Sequence, residues 1–160
     1  MEINWASWAL WGFGGTVMLT IVQEASHGLK LTRMDLPYLL GTMVTPVRDR
    51  ARAVGFLVHV ANGLAFSLVY VAVFQALDRS TWWEGAILGL IHALFLLVVG
   101  MALLPGLHPR MATEQQGPDA RRMLEPPGFM ALNYGMRTPI TVLVSHVLFG
   151  AVLGAFYRLA

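Results

Sequence analysis

Four ionisable side chains lie within the long apolar segments of this chain: Glu24, His59, His92 and His146, one in each segment. An ionisable group inside a membrane is costly, and it usually marks ligand binding, proton relay or electron transfer. Each of these residues shares a helical stripe with small residues, which mark where membrane helices contact one another. We therefore expect all four side chains to point into a helix bundle, away from lipid.

The residue types are those of a metal site. Three imidazoles and one carboxylate are an ordinary ligand set for iron, copper or zinc. The predicted metal ligands are Glu24, His59, His92 and His146. The chain has no cysteine, which excludes thiolate ligands, iron–sulfur clusters and covalently attached haem.

A b-type haem is the second form that this chemistry could take. Counted from the inner ends of their segments, His59 and His146 come out at the same depth, whereas His92 comes out deeper. Two His at one depth on different helices suit a haem, since axial ligands approach opposite faces of the macrocycle. We predict that His59 and His146 bind the cofactor, which is haem b or a non-haem metal. Glu24 and His27 have the spacing of a di-iron carboxylate motif, but that motif needs two such pairs.

A structural interpretation stands beside the chemical one. A buried imidazole can simply hydrogen-bond across helices, and the hydroxyl and amide partners available are Asn62, Ser67, Thr141 and Ser145. His27 and His108 lie at segment ends or in loops, where we expect them to be solvated or interfacial.

The composition predicts an all-α integral membrane protein. Hydrophobic residues make up 56% of the chain and charged residues 12%, with a mean hydropathy of +0.60. A spanning helix needs about 20 apolar residues, so the 160 residues predict a single domain of four transmembrane helices in a bundle. The expected spans are 5–27, 51–77, 82–104 and 139–158, separated by long loops 28–50 and 105–138. The basic residues form no face with interleaved aromatics, so nucleic-acid binding has no support.

Local signals predict where the helices begin. Asp35 followed by Pro37 predicts a short interfacial helix in the first long loop. Thr81 and Glu84 match a capping box at the start of the third span, and Pro105 is expected to end it. Thr-Pro pairs at 45–46 and 138–139 predict the starts of the second and fourth long helices.

The distribution of basic residues predicts the orientation. Nearly all Lys and Arg lie in the two long loops, and only Arg79 and Arg158 lie on the other side. Positively charged loops stay in the cytoplasm, so both termini are expected outside, on the periplasmic face of an inner membrane. The N-terminus lacks the basic region of a signal peptide, so the first span is expected to remain as an anchor.

The second and fourth segments share a pattern. A His-Val pair is followed by Gly and then by Tyr at the same spacing, in His59-Val60, Gly63 and Tyr70 and in His146-Val147, Gly150 and Tyr157. This pattern predicts either a parallel internal repeat about an axis along the membrane normal or a chance similarity.

Four apolar helices with His inside them resemble the membrane b-type cytochromes in architecture. Diheme members of those families carry two His about four helical turns apart on one helix. No span of this chain has such a pair. The resemblance therefore implies at most one haem, held between His59 and His146, and a role in electron transfer.

Three functional hypotheses follow, and whether the chain is an enzyme stays open. The first is a small membrane redox protein that holds one haem or metal ion and has quinone as a candidate partner. The second is a non-catalytic accessory subunit of a larger respiratory or photosynthetic membrane complex, with other membrane subunits or a second copy as partners. The third is a small proton-linked carrier that uses Glu24 and His92, although the spans lack the broken helices that carriers commonly use.

Overall fold

The computed structural model describes residues 2–113 and 115–160. The described residues are mostly helical and contain no β-strand. The helices are α1 (Trp5–Gly28), α2 (Leu36–Gly41), α3 (Arg48–Leu77), α4 (Trp82–Leu107), a 3₁₀-helix (Phe129–Tyr134) and α5 (Thr138–Phe156). The helices α1, α3, α4 and α5 are long and apolar enough to cross a membrane. The prediction of a helical chain with four helices that could cross a membrane is confirmed.

Two helix starts follow the local signals. Asp35 Oδ1 accepts a hydrogen bond from the Tyr38 amide at 3.0 Å, and Asp35 caps α2. Thr81 Oγ1 lies 3.5 Å from the Glu84 amide and donates to Glu84 Oε2 at 2.7 Å, which caps α4. Both residues occupy the cap positions that the sequence predicted.

Other helix ends differ from the prediction. Helix α3 begins at Arg48, because the Thr45 hydroxyl accepts from the Val47 amide at 3.3 Å and forms a turn before the helix. Helix α4 continues past Pro105 and ends at Leu107, although proline has no N–H to donate to the carbonyl one turn earlier. Residues Leu96–Gly100 of α4 form a π-helical turn, a feature that frequently lies at functional sites.

Helix α5 packs tightly against both α1 and α4, and α3 packs against α1 and α2. Glycine sets the distance between α4 and α5. A Cβ atom built on Gly85 would lie 1.9 Å from the carbonyl oxygen of Gly150, and one on Gly89 would lie 2.1 Å from that of His146. The two backbones therefore touch, as small residues permit.

Helices α3 and α4 meet differently. Their backbones make few close contacts. Large side chains bridge the space instead: the rings of Phe66 and His92 have centroids 4.3 Å apart, and Tyr70 Oη lies 3.1 Å from His92 Nδ1. A gap remains between the two helices, beside the π-helical turn.

The packing of α1 on α3 recurs in the packing of α4 on α5. The corresponding contacts are Thr16–Gly63 with Gly85–Gly150, and Thr20–His59 with Gly89–His146. These contacts use the His and Gly of the repeated sequence pattern. The common register supports an internal duplication over a chance similarity.

Hydrogen bonds from the two long loops link the first half of the molecule, α1 with α3, to the second half, α4 with α5. Arg33, after α1, donates to the carbonyl of Asn133, shortly before α5. Arg110, after α4, donates to the carbonyl of Thr42, shortly before α3. Each loop is therefore hydrogen-bonded to the segment that precedes a helix of the other half.

Candidate functional site

The three histidines of the long apolar helices all line one cavity of about 290 Å³. His59 comes from α3, His92 from α4 and His146 from α5. Most of the remaining wall is apolar, with leucine from α2 and leucine and methionine from the C-terminal half of α4. The structure therefore brings together three of the four predicted ligands. We call this space the three-histidine cavity.

His92 and His146 are in direct contact. Their ring centroids lie 4.9 Å apart, edge to face at 84°. The sequence predicted a deeper position for His92, because that prediction sets the ends of the helices on the loop side at one level. Gly89 lies against the backbone of His146, so α4 extends well beyond the start of α5 on the loop side. This axial shift brings the two rings to one level.

Hydrogen bonds at Nδ1 set the tautomers of two imidazoles. His146 Nδ1 lies 2.8 Å from the Val142 carbonyl, which can only accept, so Nδ1 carries the proton. His59 Nδ1 lies 2.9 Å from the Thr20 hydroxyl, which itself donates to the Thr16 carbonyl at 2.8 Å. Thr20 therefore accepts from His59. A neutral imidazole with its proton on Nδ1 offers a lone pair at Nε2.

His92 has the opposite tautomer. Its Nδ1 lies 3.1 Å from the Tyr70 hydroxyl, and a phenol donates readily to the basic nitrogen of an imidazole. The proton of His92 then remains on Nε2, which is buried and has no hydrogen-bond partner among the described residues. An unsatisfied buried donor costs about 1–3 kcal/mol, which a ligand could relieve.

Gln23 is a cavity residue that the sequence prediction missed. It is 1% exposed, and its Nε2 donates to Ser145 Oγ at 2.9 Å. Ser145 in turn donates to the Val142 carbonyl at 3.0 Å, so its oxygen must accept from Gln23. The amide orientation is thereby set, and Gln23 Oε1 is left buried without a partner in the described part of the chain.

Glu24, a predicted metal ligand, does not line the three-histidine cavity. The sequence placed it on a stripe of every fourth residue starting at Trp8. A helix turns about 100° per residue, so such a stripe drifts, and Glu24 lies about 160° around the helix from Trp8. The buried face of α1 instead follows Gly12, Thr16, Leu19, Gln23 and Ser26. Gln23, and not its neighbour, therefore lines the cavity.

The geometry bears on the predicted cofactors. Among the described residues, no three or more His, Asp or Glu side chains are grouped so that they could hold one metal ion. The cavity lies at the lower end of the size range of small-molecule pockets, roughly 300–1,000 Å³. Contact between His92 and His146 excludes a macrocycle between those two rings. His59 and His146 remain as the pair whose Nε2 lone pairs have no hydrogen-bond partner among the described residues.

His108 is buried, although we expected it to be solvated. It is 3% exposed, its Nε2 donates to the Leu39 carbonyl at 3.0 Å, and its Nδ1 accepts from the Arg110 amide at 3.1 Å. Burial lowers the pKa of His108 below its ordinary value, and the nearby Arg110 guanidinium lowers it further. Because Leu39 lines the cavity, this neutral histidine fastens the second long loop to the cavity floor. His27 is half-buried and does not line the cavity.

Comparison with protein-family models, with curated proteins and with solved structures gives no match. The chemistry of the cavity must therefore be interpreted from its own residues. That chemistry combines acceptors at His59, His146 and Gln23, donors at His92 and the Asn62 amide, and an apolar wall.

Proposed function

We propose that this chain is an integral membrane protein whose helices α1, α3, α4 and α5 span an inner membrane as a bundle. The outer faces of these helices support this proposal, since they expose large apolar side chains such as Ile21, Leu57 and Ile91. The basic loops would lie in the cytoplasm with α2 at the interface, and both termini would lie outside. The chain would form one transmembrane domain.

Within this bundle, the three-histidine cavity would bind a small lipid-soluble redox molecule of the quinone class. The observation that carries this proposal is a cavity with polar groups from His59, His92, His146 and Gln23 set in an apolar wall. Ligand pockets typically have this composition, in which a few polar groups orient the ligand and apolar surface holds it.

The side of the bundle offers a route to the cavity. Asn62 lines the cavity and is exposed on α3, within an apolar segment. An exposed amide is costly in lipid unless it finds a partner. Since the backbones of α3 and α4 make few contacts there, a molecule dissolved in the bilayer could reach Asn62 without crossing water.

Equilibrium binding of a short-tailed quinone to the purified protein in lipid nanodiscs tests this function. Gly100→Phe is the blocking variant, because Gly100 lines the cavity and a Cβ there would meet only the Leu96 side chain, at 3.3 Å. Gly14→Phe is the matched control, since a Cβ there meets nothing within 4 Å. We expect Gly100→Phe to weaken binding by about tenfold or more, and Gly14→Phe to leave it unchanged. Absence of binding to the unmodified protein would overturn the proposal.

A haem or metal ion is the second candidate, and the Nδ1 hydrogen bonds of His59 and His146 favour it. A metal-ligating histidine usually donates its other ring N–H to a carbonyl or similar acceptor, as both of these do. The group bound would supply one-electron transfer if it were haem, iron or copper. Glu24 is not part of this version of the site.

Metal analysis and an optical spectrum of the purified protein test the second candidate. His59→Ala and His146→Ala should each remove the metal or the haem absorption, whereas His27→Ala should retain it. A colourless sample without metal would eliminate this candidate and leave the quinone proposal standing.

A further inference from the structure

We infer that the ligand of the three-histidine cavity is the reduced, hydroxylated form of a quinone, that is, a quinol. This inference rests on the proposed function and specifies the chemical form that the cavity selects. It follows from counting which polar atoms in the cavity residues can donate a hydrogen bond and which can only accept.

Most of the histidine and glutamine side chains that line the cavity offer hydrogen-bond acceptors to a ligand. His59 and His146 both carry their proton on Nδ1, so each offers a lone pair at Nε2. Gln23 is oriented by Ser145 and adds its Oε1 oxygen as a third acceptor. His92 Nε2, with Tyr70 bound to its other nitrogen, is one donor, and the Asn62 amide, which can also accept, is another.

A quinone and a quinol present different groups to these atoms. The two carbonyl oxygens of a quinone can only accept, so a quinone can satisfy His92 and the Asn62 amide but leaves the three acceptors without partners. Each hydroxyl of a quinol both donates and accepts, so a quinol can satisfy an acceptor and a donor together. A binding site discriminates strongly against a ligand that leaves the buried polar groups of the site without hydrogen-bond partners, because those groups have lost water and gain nothing in its place.

The shape and wall of the cavity suit a single substituted ring. Phe66 lies against His92, with ring centroids 4.3 Å apart, and Phe149 lines the same space. Aromatic walls favour stacked or edge-on contact with a ring ligand. A volume of about 290 Å³ is too small for a ring together with a long tail. The tail would therefore leave between α3 and α4, past Asn62, toward the bilayer.

The test compares three probes that share one ring and one short alkyl tail: the quinol, its quinone and its dimethyl ether. Binding to the intact protein in nanodiscs is measured without oxygen, with a reductant present for the quinol. We expect the quinol to bind about tenfold or more tightly than either other probe, the loss expected for unpaired buried acceptors. The quinone controls for size, and the dimethyl ether, which keeps the oxygens but carries methyl groups in place of the donating hydrogens, controls for apolar surface.

The outcomes separate this inference from the proposed function. If the quinone or the ether binds as tightly as the quinol, the inference is overturned and the proposed function survives. If none of the three binds, both are overturned. Nitrogen-15 NMR of the histidine rings gives a second, variant-free check, since we expect Nδ1–H for His59 and His146. Observation of Nε2–H in both rings would also overturn the inference.

Discussion

Two adjacent residues on α1, Gln23 and Glu24, show how strongly the role of a polar side chain depends on the rotation of its helix. Both are polar and both lie near the C-terminal end of an apolar helix. Gln23 is buried against α5 through Ser145, whereas Glu24 lies outside the cavity. The neutral amide therefore occupies the position where the carboxylate was predicted, and it provides an acceptor without a net charge.

Replacing Gln23 by Leu should weaken quinol binding by about tenfold, because Leu removes the Oε1 acceptor from a desolvated site. Glu24→Leu is the matched control, and we expect it to leave the affinity unchanged. The measurement is the same equilibrium binding in nanodiscs. Unaltered affinity in Gln23→Leu would show that Oε1 does not contact the ligand.

His108 should make the docking of the second long loop sensitive to pH. An undocked His108 titrates near its ordinary value of 6.5, and burial lowers the pKa of the docked residue. Protonation would place a proton on Nδ1, which now accepts from the Arg110 amide, beside the charged Arg110 guanidinium. The stabilisation is therefore fully present above about pH 6.5 and is lost as the pH falls toward the lowered pKa.

Thermal unfolding of the detergent-solubilised protein, measured between about pH 8 and about pH 5, checks this prediction. We expect the melting temperature of the unmodified protein to fall across the acidic part of this range. His108→Gln retains hydrogen-bonding capacity without a titratable proton, so that component of the fall should be absent. Identical pH profiles for the two proteins would contradict the assignment.

At the scale of elements, the helix pairs divide into those in backbone contact and those separated by side chains. Helices α4 and α5 approach through Gly85, Gly89 and Gly150, and their position is set by backbone atoms that cannot yield. Helices α3 and α4 are held apart by Phe66 and Tyr70 against His92. The rigid pair supplies a fixed wall of the cavity, and the looser pair supplies its side opening.

Gly89→Ala should destabilise the protein by about 1–3 kcal/mol, because its methyl group would overlap the His146 carbonyl and force α4 away from α5. Gly14→Ala is the matched control, since its methyl group meets open space and alanine favours helix by about 1 kcal/mol. Thermal unfolding in one detergent measures both. Equal melting temperatures for Gly89→Ala and the unmodified protein would be inconsistent with the close approach.

At the scale of the whole molecule, the shared register of contacts relates two interfaces that are packed differently. If α1 with α3 corresponds to α4 with α5, then the interface between α1 and α5 corresponds to that between α4 and α3. The first is closed, with Gly15 against Phe149, where a Cβ would come within 3.0 Å. The second is open and contains the three-histidine cavity. The cavity therefore lies at the interface between α3 and α4, where the two halves do not pack closely, and not at the corresponding interface between α1 and α5.

The proposed orientation can be measured directly, because the chain contains no cysteine. Single cysteines at Asn4 and Arg158 should react with a membrane-impermeant maleimide on intact cells, since both termini are expected outside. A cysteine at Arg121, in the second long loop, should react only after lysis. Labelling of Arg121→Cys in intact cells, with both termini protected, would reverse the orientation.

The sequence by itself determined the helical, membrane-compatible class, the four long helices, and the caps of α2 and α4, because run length and capping depend on residues within a few positions of each other. It also identified the three histidines, since an ionisable residue in an apolar run is visible without coordinates. The tertiary structure decided that Gln23 replaces Glu24, that His92 meets His146 and that His108 is buried. Those outcomes depend on how far each helix is rotated and shifted along its neighbour, which glycine contacts between distant segments determine and no local pattern encodes.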